Sequence, residues 1–136
     1  MSGARDTPRS YVGVMTVDDQ AAFLSAAREV IDATTGFELL GEARSGEEAL
    51  ALAVSVDPDL VLVDVRMPGI DGFETARRLR ASHPRATVVL VSTDDVTGAS
   101  CDACGAAAFL SKKELGEAAL RRLWEAHGRP PVGADP

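Results

Sequence analysis

Residues 60–72 read LVLVDVRMPGIDG, and this stretch indicates the architecture of the chain. Residues 60–63 are apolar without alternation, which is typical of a strand buried on both faces of a parallel sheet. The strand ends at Asp64, and Pro68, Gly69 and Gly72 mark a turn beyond it. Open α/β folds place their ligand sites at the carboxyl ends of such strands. Taken alone, however, Asp64 is better explained as a residue that caps the turn.

The composition restricts the classes of protein to which the chain can belong. Its 136 residues suffice for one domain with a sizeable core, and 46% of them are hydrophobic. The formal net charge of -7 argues against direct binding to the phosphate backbone of a nucleic acid. No apolar stretch approaches the ~20 residues that span a bilayer, and the amino terminus lacks the apolar region of a signal peptide. We therefore expect a cytoplasmic protein that binds neither membrane nor nucleic acid.

The apolar pattern predicts strands and helices in strict alternation. The strands are expected at residues 11–17, 37–43, 60–64, 86–91 and 107–111, and the helices at residues 20–34, 45–56, 73–82, 93–104 and 114–126. Because crossovers between parallel strands are right-handed, this order predicts a doubly wound parallel α/β sheet. Residues 1–10 and 128–136 are expected to be loose tails around a single domain at residues 11–127.

The helices can be predicted in further detail. Ser45 and Glu48 form a capping box at the start of the second helix, and this helix is expected to stop before Asp57. Its inward face is predicted to contain Leu50, Ala53 and Val54. The helix at residues 93–104 has a weak signal. The last helix is predicted to have an apolar side of Leu115, Ala119, Leu120, Leu123 and Trp124.

Polar side chains follow most of the predicted strands. Asp18 and Asp19 come after the first strand, Asp64 ends the third, Ser92 follows the fourth and Lys112 follows the fifth. Because parallel strands share their carboxyl edge, we expect these side chains to converge on one small site. Clustered carboxylates need a cation, and oxygen ligands without His or Cys favour Mg2+ over zinc. With Lys112 and a hydroxyl, such a site can bind a phosphoryl group, and Asp64 is then either a metal ligand only or a nucleophile.

Four motifs in order resemble those of the receiver domain of two-component response regulators. They are the Asp18-Asp19 pair, DVRMPGIDG from Asp64 onward, the hydroxyl residue Ser92 and FLSK ending at Lys112. The resemblance implies a (βα)5, flavodoxin-like fold with strand order 2-1-3-4-5. Lys113 stands where many members of the family have Pro.

The resemblance implies a role for each residue of the site. Asp64 would be the phosphoacceptor, and Lys112 would pair with a phosphoryl oxygen. Ser92 would be the switch hydroxyl and Phe109 the switch aromatic, although Phe109 lacks the hydroxyl of the commoner Tyr. The implied Mg2+ ligands are Asp18, Asp19, Asp64 and the backbone carbonyl of Arg66.

The resemblance also implies partners. A sensor histidine kinase would supply the phosphoryl group. No DNA-binding segment follows Gly128 in the sequence, so output is expected through a downstream effector protein, a separate output domain or a homodimer. The homodimer would use the face of the fourth helix, fifth strand and fifth helix. The main alternative is a receiver-like interaction module that signals without phosphorylation. A metal-dependent phosphatase is a weaker one, because Arg66 stands where its second Asp is needed.

Each candidate residue also has a purely structural explanation. Asp18 and Asp19 are favourable residues for capping the following helix. Ser92 can be an ordinary strand-end residue, Phe109 a core residue and Lys113 a surface lysine. The CxxC at Cys101 and Cys104 has no second ligand pair, so we expect two reduced thiols rather than a redox or zinc site.

Overall fold

The fold is built on one parallel sheet, seen in a computed structural model that describes residues 10–93 and 105–128. Its five strands lie in the order β2-β1-β3-β4-β5. They are β1 (Val12–Val17), β2 (Phe37–Ala43), β3 (Leu60–Asp64), β4 (Thr87–Ser92) and β5 (Ala108–Ser111). All neighbouring pairs are parallel. The predicted α/β class and strand order are confirmed.

Helices cover both faces of the sheet. They are α1 (Ala21–Ala33), α2 (Gly46–Val56), α3 (Gly72–Ser82) and α4 (Glu117–His127), with a 3-10 turn at Lys112–Glu114. The helix predicted at residues 93–104 lies outside the described residues except for Thr93, and so do Cys101 and Cys104. Most of both predicted tails also lies outside them. The tails and the CxxC therefore stay predictions.

The core has two halves, one on each side of the sheet. On one side Met15 and Val63 of the sheet cluster with Ala53 of α2 and Leu79 of α3. On the other side the inward residues of the strands cluster with Ile31 of α1 and Leu120 of α4. The alternation of neighbouring strand residues between the two faces explains why continuous apolar runs form the central strands.

Side-chain caps fix the beginnings of two helices. Ser45 Oγ accepts a hydrogen bond of 3.0 Å from the Glu48 N–H, as the capping box predicts. The Glu48 carboxylate reaches back to the N–H of Arg44 at 2.6 Å. At α3, Asp71 Oδ1 accepts from the Glu74 N–H at 2.9 Å. The start of α3 is important for the site, because this helix follows directly on the turn after Asp64.

Two details of the predicted helices are wrong. The last helix does not begin at residue 114, because Leu115 closes the 3-10 turn and Gly116 precedes the first residue of α4. Val54 does not face inward but is 75% exposed, whereas Ala49 and Ala53 form the buried side of α2. The apolar stripe of α2 is thus displaced by about one residue from the predicted face.

Within the described residues, no helix is both long and apolar enough to cross a membrane.

Candidate functional site

The loop after β1 positions the first acidic side chains. Asp18 is fully buried, and its backbone N–H donates to the carbonyl of Ala43 at 3.0 Å. Its carboxylate oxygen Oδ1 accepts from the backbone N–H of Gln20 at 2.8 Å. The adjacent Asp19 is half-buried, and its carbonyl accepts from Arg44 at 3.2 Å. These bonds hold the two acids at the carboxyl edge of the sheet.

The turn after β3 positions Asp64. The N–H of Val65 donates to the carbonyl of Val91 at 2.9 Å, so the strand pairing continues past Asp64. The N–H of Gly72 then donates to the carbonyl of Val65 at 2.8 Å, which closes the turn. Gly69 within the turn has a φ of 80°, a conformation that favours glycine. The Asp64 carboxylate is consequently directed to the sheet edge with only 9% of its side chain exposed.

Lys112 supplies the positive charge of the site. It follows β5 directly in the 3-10 turn, and its side chain is only 10% exposed. Its Nζ atom lies 2.6 Å from Asp18 Oδ2 and 3.6 Å from Asp64 Oδ1. Lys113, by contrast, is exposed. The structure therefore brings Lys112, and not Lys113, into contact with both buried acids.

The three carboxylates form a cluster that suits a divalent cation. One oxygen from each of Asp18, Asp19 and Asp64 lies within 4.8 Å of the others. Asp18 Oδ2 is buried and accepts no hydrogen bond from the described residues, because Lys112 meets it as an ion pair without hydrogen-bond geometry. An all-oxygen donor set with a buried carboxylate oxygen of this kind fits Mg2+. One buried lysine cannot neutralise three carboxylates, so the cluster favours a further cation.

The electrostatic environment of Asp64 reflects this crowding. Burial raises the pKa of the Asp64 carboxyl, and the neighbouring charge of Asp18 raises it further. The Lys112 ammonium and a hydrogen bond from the backbone N–H of Arg66 act in the opposite direction. The net shift is upward, so the ionised form of Asp64 is disfavoured where no additional positive charge is present.

The remaining predicted site residues lie around this cluster. Ser92 is buried at the end of β4, one residue beyond Val91, which is the register partner of Asp64. Phe109 is half-buried in β5, and its ring meets Phe73 edge-on with centroids 6.2 Å apart. Arg66 is exposed and its N–H donates to Asp64. The predicted roles of Ser92, Phe109 and the Arg66 carbonyl stay predictions.

Two contacts of Lys112 were missed from the sequence. The ammonium lies 4.8 Å from the ring centroid of Phe23 and 3.4 Å from Gln20 Oε1. Gln20 is the N-cap residue of α1, and Phe23 belongs to the first turn of this helix. Gln20 and Phe23 lie far from Lys112 in the sequence, so no local pattern identifies these contacts.

Comparison with known families agrees with this geometry. The response regulator receiver domain family matches residues 14–123, which is most of the chain. The response regulator GacA of Pseudomonas viridiflava is 37% identical over 103 residues, covering 74% of this chain and 48% of GacA. The nitrate/nitrite response regulator protein NarL of Escherichia coli is 33% identical over 82 residues, covering 60% of this chain and 38% of NarL. The chain thus spans about half or less of the length of these relatives.

Solved structures share the fold. The signal receiver domain of a response regulator NarL from Mycobacterium tuberculosis superposes with a TM-score of 0.76 at 30% identity, covering 85% of this chain and 98% of that one. CheY in a CheX-CheY-BeF3-Mg+2 complex from Borrelia burgdorferi superposes with a TM-score of 0.75 at 25% identity, covering 85% and 88%. From the family match, the identity to its members and the shared fold, it follows that the chain belongs to the receiver domain family of two-component response regulators.

Proposed function

We propose that Asp64 is the residue at which this receiver domain accepts a phosphoryl group. Phosphoryl acceptance is the function of the family, and receiver domains are in general signalling domains rather than enzymes. The observation that carries the assignment is that the Asp64 carboxylate lies in one cluster with those of Asp18 and Asp19 and 3.6 Å from the Lys112 Nζ. An ionised Asp64 oxygen attacks phosphorus, an acyl phosphate forms, and the bond from phosphorus to the donor breaks. With a phosphohistidine donor, the imidazole leaves and takes up a proton.

The chain's own residues provide positioning and charge for this transfer. Asp18, Asp19, Asp64 and the carbonyl of Arg66 would hold Mg2+, which when bound supplies positive charge that favours the approach of an anionic phosphoryl group. Lys112 pairs with a phosphoryl oxygen. The Ser92 hydroxyl donates to the phosphoryl group, and Phe109 changes its packing when Ser92 moves. In a separate, slow hydrolysis, water attacks phosphorus, the bond from phosphorus to the Asp64 oxygen breaks, and inorganic phosphate leaves with Asp64 restored as a carboxylate.

A relative supports the metal-dependent form of this proposal. The Borrelia burgdorferi CheY structure is of a complex with BeF3 and Mg2+, and its fold is that of this chain. On a carboxylate oxygen, the BeF3 anion is tetrahedral about beryllium, as an acyl phosphate is about phosphorus. The acidic cluster of Asp18, Asp19 and Asp64 is where the present chain offers oxygen ligands for the same ion.

The partners follow from the same chemistry. Receiver domains interact with histidine kinases and with output domains. For this chain we propose a cytoplasmic sensor histidine kinase as donor and either an effector protein or a separate output domain as receiver of the signal. A homodimer through residues 93–104, β5 and α4 is a further part of the proposal. The phosphorylation-independent alternative has no specific observation in its favour.

The test is a phosphorylation assay followed by intact mass measurement. The chain is incubated with acetyl phosphate and Mg2+, and a mass gain of one phosphoryl group is expected. Asp64→Asn is expected to abolish the gain. The matched control is Asp32→Asn, an exposed residue of α1, which should keep it. A gain of equal size in Asp64→Asn, or none in the wild-type chain, would refute the proposed function.

A further inference from the structure

The Lys112 ammonium has more than one kind of neighbour. Asp18 at 2.6 Å and Asp64 at 3.6 Å are anionic, whereas Gln20 Oε1 at 3.4 Å and the Phe23 ring at 4.8 Å are neutral. The neutral neighbours come from the N-cap and the first turn of α1, and the lysine from the turn after β5. The two groups are 89 or more residues apart in the chain, so the tertiary fold brings them together.

The two anionic neighbours, Asp18 and Asp64, also take part in phosphoryl transfer. Asp18 and Asp64 would give carboxylate oxygens to a divalent cation at the acidic cluster, and the Asp64 oxygen that attacks phosphorus becomes part of the acyl phosphate. The ion pair of 2.6 Å between Lys112 and Asp18 is therefore weakened just when the ammonium has to stay near Asp64. A neutral group can attract the ammonium throughout the transfer, because it is not needed as a ligand of the cation.

We infer that Gln20 and Phe23 are positioning residues that keep the Lys112 ammonium beside Asp64 while the carboxylates bind the cation. The inference rests on the proposed function of this site. The face of an aromatic ring attracts an ammonium through its quadrupole, and this attraction is stronger for a largely buried lysine such as Lys112. The side-chain amide oxygen of Gln20 adds a weak polar contact with the ammonium. We call the pair the Gln20–Phe23 cradle.

The packing of Phe23 fixes the ring of the cradle in place. The ring is half-buried and packs against the core cluster that contains Ile31 and Leu120. The N–H groups of Phe23 and Leu24 both point to the carbonyl of Gln20, which closes the first turn of the helix. The ring position is thus set by the core and the helix, and not by the ligands of the site.

The first test is spectroscopic. A proton held over a ring face resonates upfield, so the Lys112 ε-CH2 protons are expected upfield of those of Lys113 in the metal-free protein. This shift should persist when Mg2+ saturates the site, and it should be lost in Phe23→Leu. Ordinary Lys112 shifts in the wild-type chain, or shifts that become ordinary on Mg2+ addition, would refute the cradle.

The second test measures the rate of phosphorylation by acetyl phosphate. Phe23→Leu should slow it roughly threefold to tenfold, and Phe23→Tyr, which keeps the ring, should restore it. Ser25→Ala, an exposed change on the same helix, is the matched control and should have no effect. In a Lys112→Met background, Phe23→Leu should change the rate less than about twofold.

The outcomes separate a positioning role from a structural one. An equal effect of Phe23→Leu with and without Lys112 would show that the ring only maintains the fold, and this would refute the inference. A Phe23→Tyr variant as slow as Phe23→Leu would do the same. If the wild-type chain gains no phosphoryl group, the proposed function fails, while the ε-CH2 shifts still decide whether the ring holds the ammonium.

Discussion

Gly72 packs directly against the backbone of Asp64. A Cβ atom at Gly72 would lie 2.2 Å from the carbonyl oxygen of Asp64 and 2.6 Å from the Cα of Val65. Both atoms belong to the backbone, so no flexible side chain can move aside. The first turn of α3 can approach the end of β3 this closely only because residue 72 has no side chain.

Gly72→Ala should therefore destabilise the chain by about 1–3 kcal/mol and slow phosphorylation of Asp64. Urea unfolding and the acetyl phosphate assay check the two effects. Gly116→Ala is the matched control, because a Cβ there meets no atom of the described residues within 4 Å. Gly116→Ala is expected to lower the free energy of unfolding by less than about 1 kcal/mol. Equal stability losses in the two variants would contradict the proposed close contact.

Lys112→Met should slow phosphorylation roughly 10²-fold, because a positive charge next to the transferred group is lost. Lys113→Met should change the rate by less than about twofold, since Lys113 is exposed. Rates from intact mass against time give both values. A larger effect of Lys113→Met than of Lys112→Met would mean that Lys113, and not Lys112, contacts the phosphoryl group.

Mg2+ should raise the melting temperature of the wild-type chain, because the cation binds the folded acidic cluster and not the unfolded chain. At a concentration of about 100 times the Kd the stabilisation is expected to be about 2.7 kcal/mol. Asp19→Asn should weaken this effect, whereas Asp32→Asn should preserve it. Thermal denaturation over a series of Mg2+ concentrations is the measurement, and an unchanged response of Asp19→Asn would contradict the assignment of this ligand.

Glu74 should show an unusually acidic titration. Its carboxylate accepts hydrogen bonds from Arg77 and Arg78, which lower the pKa of Glu74 to about 2 from the model-compound value of 4.5. Since the folded-state pKa is depressed, the stability that Glu74 contributes is complete above about pH 4.5 and is lost as the pH falls towards 2. Carbon-13 NMR of the carboxyl group gives the midpoint. In a variant with Arg77→Ala and Arg78→Ala the midpoint should return towards 4.5, and a midpoint near 4.5 in the wild-type chain would contradict the prediction.

Leu120→Ala should cost about 2–5 kcal/mol of stability, because Leu120 is fully buried where α4 packs on the sheet. Val54→Ala should cost less than about 1 kcal/mol, since Val54 is 75% exposed on α2. Urea unfolding of the two variants compares them directly. A large cost for Val54→Ala would mean that this residue is covered in solution.

The architecture could be predicted because continuous apolar strands leave few alternatives. The runs that end at Asp64 and Ser92 are typical of strands that a parallel sheet buries between helices on each side. The convergence of Asp18, Asp64 and Lys112 then follows from the common direction of the strands. These conclusions depend on topology, which hydrophobic periodicity determines well.

Other features depend on side-chain packing, which periodicity does not determine. Leu115 continues the apolar spacing of α4, but the 3-10 turn at Lys112–Glu114 places it before the helix. Val54 fits the stripe of α2 almost as well as Ala53 does, and only the rotation of the helix decides between them. The contact between Phe23 and Lys112 joins residues far apart in sequence, so no local pattern predicts it.

The strand order has one more consequence. β1 and β3 are interior strands of the sheet, whereas β5 is an outer strand of four half-buried residues that pairs with β4. The acids of the site thus follow or end interior strands, which pair on both sides, whereas the lysine follows an outer strand, which pairs within the sheet on one side. Local opening of the outer strand can change the charge balance of the site without disturbing the centre of the sheet. Amide hydrogen exchange should accordingly be faster in β5 than in β3.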